Sequence, residues 1–154
     1  MNKLLTLVLY SVLCLFVAAC TNTKYESHAT NKAISAQLEA NDFKSIQFSK
    51  LGSNKWKKVC FLGPYNENSS QLLGFKWNIS DFTSVLNSDS HNVIIFATDT
   101  DVIEYVIHPR DKGDFSEVSG ECFPRETSNF VRDTTINSAN NNGSMQWKNY
   151  VPQK

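Results

Sequence analysis

Few side chains in this chain have the types and spacing that chemistry needs. There are three histidines, His28, His91 and His108, no two at metal-ligand spacing, and neither His-Glu-x-x-His nor Gly-x-Ser-x-Gly occurs. They read as exposed surface histidines. A Ser-His-Asp set assembles only in space, so the 16 serines after Ala19 do not by themselves argue for one. Asp99-x-Asp101 and Asp111-x-x-Asp114 could offer carboxylates to calcium. They lack the other oxygens and the closing Glu of an EF-hand loop, and read as turns. Glu104 interrupts an apolar run. Facing inward it would need a partner such as Arg110 or Lys58; on an edge strand it faces solvent, which is the preferred reading. Lys55, Lys57 and Lys58 flank Trp56, with Tyr65 beyond. Such a basic and aromatic group can bind anionic headgroups or polysaccharide, but the lysines also suit a strand edge protected from further pairing, and that reading carries more weight. No catalytic residue, metal or cofactor is expected.

The N-terminus carries the most specific pattern. Met1-Asn2-Lys3 is followed by Leu4 to Ala19, 16 residues without a charge. A cationic start and a short apolar run form a secretory signal, and the run is short for a spanning helix, which needs about 20 residues. It ends Val17-Ala18-Ala19-Cys20. These residues resemble the lipobox of bacterial lipoproteins: a branched apolar residue, two small residues and a cysteine. The resemblance implies cleavage after Ala19, thioether lipidation of Cys20 and acylation of the new amino terminus with palmitate-like chains. At about 0.8 kcal/mol per buried methylene, such chains anchor a protein durably. Thr21, rather than Asp, follows the cysteine. By the same resemblance this implies the outer membrane, lipid-anchored on its periplasmic face or at the cell surface.

There are four cysteines. In a lipoprotein, Cys14 leaves with the signal and Cys20 takes the lipid, so Cys60 and Cys122 remain as an even pair in an oxidising compartment. A disulfide between them is expected, worth about 4 kcal/mol in the chain-entropy model. A redox role has less support, since no Cys-x-x-Cys occurs. Val59-Cys60-Phe61-Leu62-Gly63-Pro64-Tyr65, with Gly120-Glu121-Cys122-Phe123 downstream, also resembles small bacterial lipoproteins. That likeness brings the cysteine pairing and no activity.

The 154 residues fit one domain. Lys plus Arg and Asp plus Glu are balanced at 15 each, and a pI near 6.8 excludes a broad nucleic-acid surface. Of the first 19 residues, 15 are hydrophobic, so the remainder is rather polar. Residues 20–30 read as a flexible tether. Residues 31–133 read as a globular α+β domain, and residues 134–154 as a polar Asn-rich segment, possible as a flexible tail or as the carrier of a last strand. Ile34 and Leu38 lie one turn apart and predict a short helix to Ala40, capped by Thr30 or Asn31. Residues 45–51 and 55–62 read as an antiparallel hairpin turning at Gly52-Ser53-Asn54. A short helix is expected over 69–75, weakened by Gly74, with a further helical turn possible at 79–86. Residues 92–98 and 102–108 form the clearest strand pair, apolar enough to be covered on both faces. The expected fold is one small antiparallel sheet of about four to five strands, with two or three short helices and one disulfide.

The function these readings imply is that of a non-enzymatic envelope lipoprotein. It would be held in the membrane by acylated Cys20 and present its domain to a protein partner, as an assembly factor, inhibitor or immunity-type protein. The alternative is a ligand- or glycan-binding lipoprotein using the Lys55, Trp56, Lys57, Lys58 and Tyr65 surface. A small hydrolase ranks third, and nucleic acid is not expected as a partner.

Overall fold

A computed structural model describes residues 25–135 and 147–154. The described residues form two α-helices, α1 (His28–Ala40) and α2 (Ser69–Leu73), and seven strands. The strands are β1 (Ser45–Gln47), β2 (Lys58–Leu62), β3 (His91–Ala97), β4 (Val102–Pro109), β5 (Cys122–Pro124), β6 (Asn129–Arg132) and β7 (Tyr150–Pro152). All strand pairs are antiparallel. The fold class is α+β, mostly β.

The expected single sheet is instead two, a four-stranded sheet in the order β4-β3-β2-β5 and a three-stranded sheet in the order β1-β6-β7. The expected hairpin between residues 45–51 and 55–62 does not form. β1 pairs β6, with Ile46 opposite Phe130, while β2 pairs β3 and β5. The cause is burial. Ile46 and Phe48 enter the core, and a 3-10 turn at Phe48–Lys50 swings the chain away before it reaches β2.

The apolar runs of β3 and β4 pair as expected, with a register shift between Phe96 and Ala97, but β4 is the edge of its sheet and is not covered on both faces as expected, with Ile103 and Ile107 half-buried. β2 and β3 are buried on both faces. On one face Val59, Phe61, Ile94 and Phe96 join Ile34 and Leu38 of α1, Phe48, Phe115, Phe130 and Tyr150. Phe48 is the hub, with ring centroids 5.4–6.2 Å from Phe61, Phe96, Phe115 and Phe130. On the other face Cys60, Leu62, Val93 and Ile95 pack under Leu73, Trp77, Ile79 and Leu86. This second cover is largely irregular, so serine side chains satisfy its backbone. Ser69 Oγ donates to the Trp77 carbonyl at 3.0 Å and accepts from Ile79 N–H at 2.9 Å. Ser70 Oγ donates to the same carbonyl at 2.7 Å. α2 ends at Gly74, whose φ of 81° suits glycine at the end of a helix.

The ordered domain begins earlier than the expected boundary at residue 31. Ser27 caps α1, accepting from Thr30 N–H at 3.2 Å, where Thr30 or Asn31 was expected to cap. Ser27 N–H donates to Tyr105 C=O at 2.8 Å, and Tyr105 N–H to Tyr25 C=O at 2.7 Å. These bonds close the outer edge of β4, and Tyr25 packs edge-on against Trp77 and Phe82. Residues 25–30 are thus part of the domain; the rest of the expected tether and the signal lie outside the described residues. The last strand is present as β7 on β6, while most of the Asn-rich stretch before it lies outside the described residues.

Cys60 and Cys122 sit directly opposite each other on β2 and β5 and form the expected disulfide. It closes a loop of 62 residues, for which chain entropy predicts about 4 kcal/mol. In urea unfolding of the full chain in detergent, reduction is expected to lower stability by about that amount. The double substitution Cys60→Ala and Cys122→Ala should then be insensitive to reductant.

Candidate functional site

The basic and aromatic surface expected around Trp56 does not assemble. Trp56 is only 1% exposed, which corrects its place in that surface. Its indole N–H donates to Leu51 C=O at 2.9 Å, its ring meets Phe96 edge-on, and the Arg125 guanidinium lies 4.4 Å above it. Arg125 also donates to the Ser49 and Ser53 carbonyls at 2.9 and 3.1 Å, clamping the loop that carries Trp56. The lysines have separate tasks. Lys57 pairs with Asp99 at 2.5 Å on the surface, and the Asp99 carboxyl is lowered by that hydrogen bond and charge. Lys58 donates to Leu73 C=O at 2.7 Å, closing the end of α2. Lys55 remains exposed, and Tyr65 is 72% exposed.

Glu104 does not take the solvent face preferred for it: it is half-buried and faces inward, yet neither Arg110 nor Lys58 meets it. Its carboxylate accepts from Thr30 Oγ1 at 3.0 Å and Ser53 N–H at 3.2 Å, tying α1 and the Trp56 loop to β4. Gly52 permits this approach: its φ is 66°, and a Cβ there would overlap Glu104 Oε1.

The histidines divide. His28 is exposed and His91 half-buried, but His108 is fully buried, correcting the expected surface position. It lies on β4 with Nδ1 2.9 Å from Asn31 Oδ1. Asn31 Nδ2 donates to Ile107 C=O at 2.9 Å, which orients the amide and assigns the ring proton to Nδ1. Nε2 has no hydrogen-bond partner, and a Cβ on Gly113 would come 3.2 Å from it. Burial lowers the His108 pKa to about 4.

The Asp111–Asp114 pair splits in the same way. Asp111 is exposed, while Asp114 is 2% exposed and takes a two-pronged Arg110 at 2.9 and 2.8 Å. Burial acts to raise the Asp114 carboxyl, but the hydrogen bonds from Arg110 and Ser116 outweigh it and hold the group below the usual carboxylate range. Ser116 Oγ donates to Asp114 Oδ1 at 2.6 Å and lies 3.1 Å from Asn92 Oδ1. Arg110 stacks 4.5 Å over Trp147. A serine and a carboxylate do meet here, but His108 faces Asn31, so the cluster joins loops and does not align a base with a nucleophile.

A concave feature lies elsewhere. An open groove of about 470 Å³ is lined by Asn66, Asn68, Gln71, Leu72, Gly120 and Cys122. Asn66 Nδ2 donates to Ser119 Oγ at 3.0 Å and its Oδ1 accepts from Asn68 N–H at 3.2 Å. Asn68 precedes α2 yet its side chain makes no capping bond. Tyr65, next to Asn66 in the chain, holds a left-handed φ of 63°, which is uncommon for a bulky residue. In the sequence these asparagines look like helix caps, and that resemblance to ordinary turn chemistry conceals the groove.

Among the described residues no group of three His, Cys, Asp or Glu side chains is placed to hold a metal ion. No helix among them is long and apolar enough to cross a membrane. No protein-family model, curated protein or solved structure matches the chain.

His108 makes stability depend on pH. Its folded pKa of about 4 lies below the ordinary 6.5 of the unfolded chain, so between these values the unfolded state binds more protons. Stability therefore falls as pH drops from 6.5 to 4, by roughly 3 kcal/mol from this group. Urea unfolding of wild type and His108→Gln across that range should show a shallower loss in the variant. A second substitution, Gly52→Ala, is expected to cost more than about 1 kcal/mol, through its φ and its overlap with Glu104.

Proposed function

We propose that the protein is an outer-membrane lipoprotein without catalytic activity, anchored through acylated Cys20, whose domain recognises a protein partner close to the bilayer. The observation that carries this reading is the position of Cys20 relative to the first paired residue of the domain. Tyr25 already bonds to β4, and four residues lie between it and the cysteine of Val17-Ala18-Ala19-Cys20, a link of five residue steps. At no more than about 3.6 Å per residue the link spans at most ~18 Å, so acylation at Cys20 would keep the domain against the membrane surface. The Cys60–Cys122 disulfide supports an oxidising compartment. The exposed Tyr65 is an aromatic of the kind that anchors protein interfaces.

The second reading, ligand or glycan binding, is favoured by the amide-lined groove rather than by Lys55 to Lys58. Metabolic labelling with palmitate should mark the wild type and leave Cys20→Ala unlabelled; equal labelling of both would refute the anchor. Crosslinking in the envelope should recover a protein partner from wild type in preference to Tyr65→Ala, and repeated recovery of no protein would refute the partner.

A further inference from the structure

We infer that the groove beside the disulfide binds a neutral oligosaccharide, a short chain of hexose rings bearing hydroxyl and acetamido groups. This inference rests on the second reading, ligand or glycan binding at the groove, and not on the lipid anchor. The lining is chemically uniform. Asn66, Asn68 and Gln71 supply amides, while Leu72 and Cys122 supply a small apolar floor. Among the described residues no charged side chain lines the groove. Side-chain amides present a donor and an acceptor together, which suits the paired donor and acceptor character of sugar hydroxyls and acetamido groups. The absence of charge in the lining disfavours phosphate headgroups and charged peptide termini. The volume, about 470 Å³, falls within the ~300–1,000 Å³ of small-ligand sites.

Three further observations make this a prepared site. Asn66 is fixed at both ends of its amide by Ser119 and by Asn68 N–H. The Asn68 side chain, at the position where it would ordinarily cap a helix, leaves that helix uncapped. Tyr65 is held outward by a backbone conformation that tyrosine rarely adopts, adjacent to Asn66 and available to stack on a sugar ring. The floor is rigid, because Cys122 is covalently tied to β2 and its sulfur lies 3.6 Å from Leu72 C=O.

An extended peptide is a poorer occupant. The bonds from Phe61 N–H to Glu121 C=O and from Arg125 N–H to Lys57 C=O point β5 toward β2 at residues 121 and 125. By alternation, Cys122 and Pro124 present their backbone outward. Pro124 has no N–H, so an added strand would find few donors along β5.

The test is titration of the isotope-labelled full chain in detergent micelles with tri-N-acetylchitotriose, read by NMR at the side-chain amides. Tetra-alanine serves as the peptide comparison. Saturable shifts at Asn68 and Gln71, with affinity reduced about tenfold in Asn68→Ala and in Gln71→Ala, would support the site. Lys55→Ala should leave sugar binding unchanged. Three results would each overturn it: no saturable shift up to about 10 mM sugar, tetra-alanine binding at the same amides in place of sugar, or unchanged sugar affinity in the Asn68→Ala, Gln71→Ala double variant. Near-UV circular dichroism of each variant separates lost binding from lost fold.

Discussion

β2 and β3 bury side chains on both faces, and the rest of the molecule is arranged around that demand. Val59 and Phe61 face one cluster while Cys60 and Leu62 face the other. Neither face can be left wet, since each fully buried large side chain contributes about 1.5–3 kcal/mol. The chain after Ala19 is polar for a sheet that needs two covers. It solves the first with a second sheet and α1, which concentrate phenylalanines around Phe48. It solves the second with the irregular stretch from Ser69 to Leu86, whose regular structure is confined to α2 and 3-10 turns.

Irregular covers carry backbone groups that no ladder satisfies, and this explains where the buried polar side chains sit. Ser69 and Ser70 act for the cover itself. Arg125 gathers the carbonyls of the Trp56 loop, Glu104 receives that loop and α1, and Asp114 gathers Arg110 and Ser116. Buried charges are costly unless paired and hydrogen-bonded, and both Arg110 and Asp114 meet that condition. These groups are therefore best understood as loop fasteners. They resemble a catalytic constellation in composition but lack the alignment of base and nucleophile that would make them one.

The strands of β3 and β4, the helix ending at Ala40 and the Cys60–Cys122 pair were legible, because each depends on local chemistry or on a count of cysteines; α2 was expected to run through residue 75, but Gly74 ends it. The pairing of β1 with β6 was not, because it is decided by where Ile46 and Phe48 find burial, a long-range property that the turn residues Gly52-Ser53-Asn54 do not encode. β6 itself is short, and Phe130 alone marks its core face. Trp56 and His108 were misplaced for a common reason. Each is flanked by charges in sequence, Trp56 by lysines and His108 by Pro109-Arg110-Asp111, and neighbouring charge reads as exposure. The Trp56 indole N–H is met internally by Leu51 C=O and the His108 Nδ1 by Asn31, partners that only the fold supplies.

The groove lies between the α2 segment of the second cover and the short edge strand β5. The disulfide spans β2 and β5 at this place, and Cys122 is both a structural tie and part of the groove floor. That double role has a physical consequence. β5 has only three residues, and the covalent link to Cys60 fixes Cys122 to β2 in addition to the ladder hydrogen bonds. A preformed polar lining loses less entropy when it orders around a ligand than a mobile one would. The staple that ties β5 to β2 thus also helps set the geometry of a polar groove on the surface.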